Sequence, residues 1–285
     1  MIIIADCGAT SINWGYIKEN GSVGFRNSGG INFSLIHPEE FTTKLTESVP
    51  DIFLDKPIEK IWFYAAGCRT QEHRTGIKNA LNKIFNHADI QVDDDLLAAA
   101  RAVCGSSEGI ACILGTGSNS CLYNPADGGK IVKSIPPLGY ILGDEGSGTF
   151  IGKKIISDAL KGLLSKKLTD KFYEFAGADK DEILSRVYTG KASNNYIANF
   201  SKFAKSNFQY PEIHNLIYSA FDIFIKRNVL QLMPKKPLPV GFVGSIADAF
   251  QPILSKVVED HRLELSVVLQ SPIEALVNFH INNIN

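Results

Sequence analysis

No apolar run in this 285-residue chain approaches the roughly 18 residues that a membrane-spanning helix needs. Met1-Ile2-Ile3-Ile4-Ala5 is apolar, but no basic stretch precedes it and Asp6 follows too soon for a signal peptide, so it reads as a buried first strand. Positive charge is not in excess: 29 Lys and Arg against 30 Asp and Glu leave a formal net charge of −1. Neither nucleic acid nor a membrane surface is therefore an expected partner. Cysteine is sparse and odd in number, at Cys7, Cys68, Cys104, Cys112 and Cys121, with no Cys-x-x-Cys pair. That argues against a disulfide framework, a zinc ribbon and an iron–sulfur cradle, and makes the cytoplasm the expected location. The six histidines are scattered, and there is no His-Glu-x-x-His, no Gly-x-Ser-x-Gly and no Gly-x-x-x-x-Gly-Lys-[Ser/Thr]. Gly115-Thr116-Gly117 lacks the third glycine of a dinucleotide fingerprint.

What is present is an alternation of short apolar runs and amphipathic stretches. With 45% apolar and 21% charged residues the composition is that of a globular protein, and the length suffices for two domains. Runs at 2–5, 14–17 and 23–25 read as strands, and Asn20-Gly21 between the last two is a hairpin signal. Pro38 opens a helical stretch to about 49. A strand at 61–65, a helix over about 72–85 and a short strand around Ile90 and Val92 follow, and Asp93-Asp94-Asp95 leads into a helix at 96–103. After a polar break at 105–109 the opening plan returns: strand 110–114, Gly-Thr-Gly loop, strand 120–123, a turn at 125–129, strand 131–132. The segments 2–25 and 110–132 thus imply a structural duplication, although their sequences barely match. Residues 147–233 read as mostly helical, with Ile213, Leu216, Ile217, Ala220, Phe221, Phe224 and Ile225 on a 3.6-residue period. A strand at 240–243, a helix to about 260, a strand at 265–269 and a last helix from Pro272 complete the chain.

Three Gly-rich loops sit beside these strands: Asp6-Cys7-Gly8-Ala9-Thr10, Gly115-Thr116-Gly117-Ser118 and Gly143-Asp144-Glu145-Gly146-Ser147-Gly148. Glycine lets backbone N–H groups approach a phosphate chain, and an acid among them can hold a metal ion against the phosphate charge. Alone, Asp6 reads equally well as a turn residue, and residues 115–118 as an ordinary hairpin loop. The 143–148 segment is harder to assign to structure, because two adjacent acids are costly to bury without a partner or a ligand. It also opens a helix, whose N-terminus favours anions. Asp93, Asp94 and Asp95 precede a helix, where each acid contributes ~0.3–1 kcal/mol through the dipole. Any two are explained that way, and one could act as a general base. Gly244-Ser245, between a strand and a helix, is either a plain turn or a resting place for adenosine.

The order of these parts resembles the actin/hexokinase superfamily: a first phosphate loop at 6–10, a second at 114–118, and an adenosine loop at Phe242-Val243-Gly244-Ser245. Pro137-Leu138-Gly139-Tyr140-Ile141-Leu142-Gly143-Asp144-Glu145-Gly146-Ser147, close after Gly115-Thr116-Gly117-Ser118-Asn119, narrows the resemblance to the BadF/BadG/BcrA/BcrD ATPase family and its N-acetylglucosamine kinase branch. It covers essentially the whole chain. The resemblance implies an α/β fold of duplicated ribonuclease H-like (actin-like ATPase) domains, each a mixed five-stranded sheet flanked by helices, with a cleft between. The expected domains are 1–104 plus the C-terminal helix 272–285, and 105–271 with a helical insertion.

The resemblance also implies an ATP-dependent sugar kinase acting on N-acetylglucosamine or a related amino sugar, at the 6-hydroxyl, with ATP and Mg2+ as cofactors and a homodimer as the assembly. Asp6 would hold Mg2+ through water. Gly8, Thr10, Gly115, Thr116 and Gly117 would cradle the phosphates, and Gly244 and Ser245 would meet the adenosine. Asp95 matches the catalytic aspartate, and Asn32, Ser118, Asn119, Gly139, Tyr140 and Asp144 match the sugar-contacting positions. Two places depart from the family pattern. Ser11-Ile12-Asn13 stands where the family usually has Lys-Thr-Asp, and Pro137-Leu138-Gly139 where it has Gly-Trp-Gly. The first motivates an alternative, a non-catalytic regulator that binds sugar and ATP; the cysteines offer nothing to the other, an iron–sulfur ATPase activator.

Overall fold

The apolar run after Met1 becomes the central strand of a five-stranded sheet. In the computed structural model, residues 1–33, 36–54, 56–68, 70–190 and 193–283 are described, and the chain divides into two compact units. The first comprises Met1–Ser107, Pro125–Lys130 and Ser271–Asn285, the second Glu108–Asn124 and Ile131–Gln270.

In the first unit β1 (Ile2–Cys7), β2 (Ser11–Ile17), β3 (Val23–Gly29), β4 (Lys60–Ala65) and β5 (Asp89–Asp94) form a sheet of order β3-β2-β1-β4-β5. β1 to β3 run antiparallel, whereas β4 and β5 are parallel to β1. The central strands are covered on both faces, which is why β1 and β4 read as unbroken apolar runs. One face buries Trp14, Phe33, Phe41, Phe53 and Phe63 with helices α1 (Phe41–Ser48) and α2 (Gln71–Ile84). The other buries Ile4, Ile17, Trp62 and Tyr64 under α3 (Asp95–Cys104) and the C-terminal helix Ile273–Asn282, which contributes Leu276 and Val277. Within that layer His280 stacks on Trp62, ring centroids 3.9 Å apart, and its Nε2 lies 2.8 Å from the Tyr64 hydroxyl. Arg101 donates to the same hydroxyl at 2.6 Å.

The second unit repeats the plan. β6 (Gly109–Leu114), β7 (Ser118–Asn124), β8 (Lys130–Ser134), β9 (Val240–Val243) and β10 (Leu265–Leu269) lie in the order β10-β9-β6-β7-β8, β7 antiparallel and β9 parallel to β6. Replacing β1–β5 by β6–β10 gives the same order, so the duplication is structural. Between β8 and β9 run α4 (Gly139–Leu142), α5 (Gly148–Leu160), α6 (Lys166–Ala176), α7 (Lys180–Thr189), α8 (Ser193–Asn207) and α9 (Pro211–Phe224). Their apolar stripes meet around Phe172, Phe200, Phe203 and Phe221.

Three local readings are corrected. Asp93 and Asp94 lead into α3 as expected but also end β5, which runs past Val92 because parallel pairing with Tyr64 and Ala65 carries the strand through them. The helix expected up to about 260 is two, α10 (Ser245–Ala249) and α11 (Gln251–Asp260), since Pro252 lacks the N–H that would continue the first. The periodic stretch that includes Ile225 leaves α-helical geometry there and finishes as a π turn, Ile225–Val229.

Candidate active site

In the first unit the acids gather at the carboxyl ends of the parallel strands, where open α/β sheets bind ligands. Asp6 lies opposite Asn13 across the β1–β2 pair, and Asn13 Nδ2 donates to its Oδ2 at 3.5 Å. Asp6 keeps some surface, yet its surroundings desolvate the carboxyl enough to push its pKa up to about 6, with the Asn13 bond pulling the other way. Gly8 and Thr10 lie in the β1–β2 turn, closed by Gly8 N–H donating to Ser11 O at 2.9 Å. Gly30 packs against this turn: a Cβ there would stand 2.3 Å from Ser11 N and 2.5 Å from Gly8 O. Ile31 N–H donates to Gly8 O at 3.1 Å, so the Gly29-Gly30 segment carries Asn32 up to the loop.

The three consecutive acids have different surroundings. Asp94 caps α3, its Oδ1 accepting from Leu97 N–H at 2.8 Å while Oδ2 pairs with Arg74 Nη2 at 3.2 Å. Asp93 faces Arg101 at 4.0 Å. Asp95 is the first residue of α3. Cys7, fully buried, has its thiol pushed up to about 12, first by burial and then by the charges of Asp6 and Asp95. Asp6 and Asp95 therefore act on one point of the unit.

In the second unit Gly115, Thr116 and Gly117 form the β6–β7 turn. The N-terminus of α5 holds it: Gly148 N–H donates to Gly115 O at 2.8 Å, and Thr149 gives Thr116 O both its N–H, at 3.1 Å, and its hydroxyl, at 2.9 Å. Phe150 N–H is capped by Ser147 Oγ. The anion-binding reading of this helix end is thereby corrected, since its amides order the loop. Gly244 sits against the same loop, at φ 128°, where a Cβ would lie 2.3 Å from Leu114 O. Ser245 begins α10.

Ser118, Asn119 and Asp144 line one cavity of about 100 Å3 together with Glu145, Arg227 and Asn228. Asp144 accepts from Ser118 N–H at 3.3 Å and holds φ 56°, a left-handed conformation that L residues adopt only under constraint. Tyr140 does not join this group. It lines a separate cavity of about 810 Å3 in the same unit, and its carbonyl accepts from Lys153 Nζ. Gly139 starts α4 and lines neither.

Arg227, Asn228 and Lys153 escaped the sequence reading. Glu145, 7% exposed, is paired with Arg227, Nε to Oε1 at 3.1 Å, which answers how the second acid of the loop is buried. Burial lowers the Lys153 pKa, opposed by Asp144 and Glu145. An acid beside glycines signals that a cation is needed, but nothing in the sequence says that it comes from the end of a helix some eighty residues away.

Among the described residues no cluster of three or more His, Cys, Asp or Glu side chains could ligate a metal unaided, and no helix is long and apolar enough to cross a membrane. A half-buried acid such as Asp6 does suit an ion like Mg2+, which keeps most of its waters and takes one or two carboxylates plus phosphates.

Duplicated mixed sheets of this order, with a Gly-rich turn after each first strand, define the hexokinase- and actin-like fold. No protein-family model matches the chain, and no curated protein matches it. Solved structures do. A candidate N-acetylglucosamine kinase from Porphyromonas gingivalis is 41% identical over 99% of both chains, with a TM-score of 0.93. The chain belongs to the same sugar-kinase family as that protein. A candidate N-acetylglucosamine kinase from Chromobacterium violaceum shares the fold at 20% identity over 98% of both chains, TM-score 0.73. A glucokinase of the ROK family from Streptomyces griseus, in complex with glucose and AMPPNP, shares it at 13% identity over 98% of this chain and 97% of its own, TM-score 0.54.

Proposed function

We propose that this member of the sugar-kinase family transfers the γ-phosphoryl group of ATP to the 6-hydroxyl of N-acetylglucosamine or a closely related amino sugar. The observation that carries the ATP part is the packing of Gly244 on Leu114 and Gly115, which joins the proposed adenosine loop to the proposed phosphate loop with no room for a side chain. The family relationship supports the sugar part, and the paired loop motifs support the BadF/BadG/BcrA/BcrD branch.

Gly8, Thr10, Gly115, Thr116 and Gly117 meet the phosphates, and Gly244 and Ser245 the adenosine. Asp6 holds Mg2+ through water, and the ion when bound offsets phosphate charge. Asp95, the first residue of α3, accepts the proton of the sugar hydroxyl, as its match to the family's catalytic aspartate implies, and its charge reaches Cys7 together with that of Asp6. A general base of this kind contributes ~10²–10⁴ in rate. Asn32, Ser118, Asn119 and Asp144 bind the sugar, while Gly139 and Tyr140, which the resemblance also marks, lie outside the cavity that Ser118, Asn119 and Asp144 share. Ile12, part of the β2 core, makes the altered 11–13 segment a packing element. A homodimer working in the cytoplasm completes the reading.

The test is ADP release from Mg-ATP against N-acetylglucosamine, glucosamine, N-acetylmannosamine, glucose and no sugar. ADP formed only with an amino sugar, and a 6-phosphate product by NMR, is the expected result. Equal ADP release without sugar would mean a plain ATPase. ATP binding without turnover of any sugar would mean a regulator.

A further inference from the structure

The cavity of about 810 Å3 that Tyr140 lines is built from single faces of three helices. α5 gives it Ile156 and Leu160 between Lys153 and Lys161, and α7 gives it Leu184 and Val187 beyond Lys180. Spacings of three and four residues put each set on one side of its helix. Ile197 of α8 completes the wall. The interior is thus apolar, and the ends of both stripes are cationic. Among the described lining residues none is Asp or Glu.

Packing alone does not account for this arrangement. Ile141, 73% exposed, and Tyr188, 80% exposed, stand together at the mouth, whereas exposed apolar side chains that serve no contact are usually scattered singly. Lys180 is the first residue of α7, the helix end whose dipole opposes a cation. Among the described residues neither Lys161 nor Lys180 has an acid within ion-pair distance. Lys153 Nζ donates to the Tyr140 carbonyl, a bond that uses one of its three N–H groups, and burial lowers its pKa. The volume is in the range that takes small organic ligands. We infer that this cavity is a ligand site for a small amphipathic anion: an acyl or aryl body lies on Ile156, Leu160, Leu184 and Ile197, and its acidic head meets Lys153, Lys161 and Lys180. The chemistry selects by charge. A neutral apolar molecule satisfies the wall only, and a cation is repelled. The site is independent of the kinase reading, since none of these residues takes part in the proposed transfer.

Calorimetry on the whole protein with decanoate, naphthalene-1-sulfonate, decanol and decyltrimethylammonium tests it without turnover. Saturable binding of at least one of the two anions, at one site per chain, is expected. Decanoate alone makes the body acyl, and the sulfonate alone makes it aryl. Decanol should bind about tenfold more weakly than decanoate, and the cation not at all. Lys161→Gln combined with Lys180→Gln removes two charges and no ion pair, so it should melt with the wild type. It should weaken the anions roughly 3–30-fold and change decanol by less than about twofold. Leu184→Ser should weaken anions and decanol alike, because it removes apolar wall. Absence of saturable anion binding overturns the site. So does a cation or alcohol that binds as tightly as the anions, or a lysine variant that binds them like the wild type.

Discussion

Gly244 and Leu114 meet backbone to backbone: a Cβ on Gly244 would stand 2.3 Å from the Leu114 carbonyl oxygen and 3.2 Å from Gly115 N. Nothing flexible lies there to give way, and φ at Gly244 is 128°, which an alanine adopts only with strain. Gly244→Ala should therefore move β9–α10 away from the 114–117 turn. We expect a loss of ~1–3 kcal/mol in stability, the usual range for a strained backbone position, and at least tenfold weaker ATP binding. Urea denaturation and nucleotide titration measure the two. A variant with native nucleotide affinity would dissociate this contact from ATP.

Asp94 and Asp95 are neighbours with different expected tasks, and their amides should separate them. Asp94→Asn keeps a capping oxygen but loses the charge facing Arg74, so it should cost at most about 1 kcal/mol of stability and little turnover. Asp95→Asn should lower kcat ~10²–10⁴-fold with ATP affinity nearly unchanged, because only the proton acceptor is lost. Steady-state kinetics with nucleotide binding on each variant decides. If Asp95→Asn keeps most of its activity, another acid is the base.

These two acids also show where sequence stops being informative. The strands were legible, since apolar runs of strand length between turn signals leave few other readings, and Asn20-Gly21 and Asp127-Gly128 mark the two reversals. Three acids in a row do not read as a strand end. Only pairing with Tyr64 and Ala65 places Asp93 and Asp94 in β5. The Gly-rich turns between β1 and β2 and between β6 and β7 were legible because glycine has few reasons to cluster. The Glu145–Arg227 pair was not, because it arises where an α-helical period continues to Ile225 in sequence while the backbone departs into a π turn. Such pairings are set by tertiary packing and leave no local trace.

Asn13 faces Asp6 directly across two antiparallel strands, at the position where the family usually carries a second acid. Two carboxylates there would repel unless a cation lay near them, as like charges directly opposite in a sheet do. Asn13→Asp should therefore destabilise the metal-free protein by about 1 kcal/mol and regain that loss in millimolar Mg2+, whereas the wild type should respond less. Thermal melts with and without Mg2+ check it. Equal responses in both proteins would remove Asp6 from the metal site.

His280, 3% exposed between Trp62 and Tyr64, should set the acid stability of the first unit. Burial lowers its pKa from 6.5 to about 3, and the positive charges of Arg101 and Lys60 push the same way. Protons then bind the unfolded chain below pH 6.5 but the folded one only below about 3. Stability from this site is complete above pH 6.5 and is lost progressively as pH falls through that window. At pH 5 the gap of 1.5 units corresponds to roughly 2 kcal/mol at 1.36 kcal/mol per unit. His280→Leu removes the titration: it should be less stable than the wild type at pH 7.5, where the Tyr64 bond is lost, and should show a shallower decline between pH 6.5 and 4. Parallel denaturation curves for the two proteins across that range would mean that other groups govern the acid limb. A shallower curve for the variant would assign it to the stacked imidazole that ties the C-terminal helix to β4.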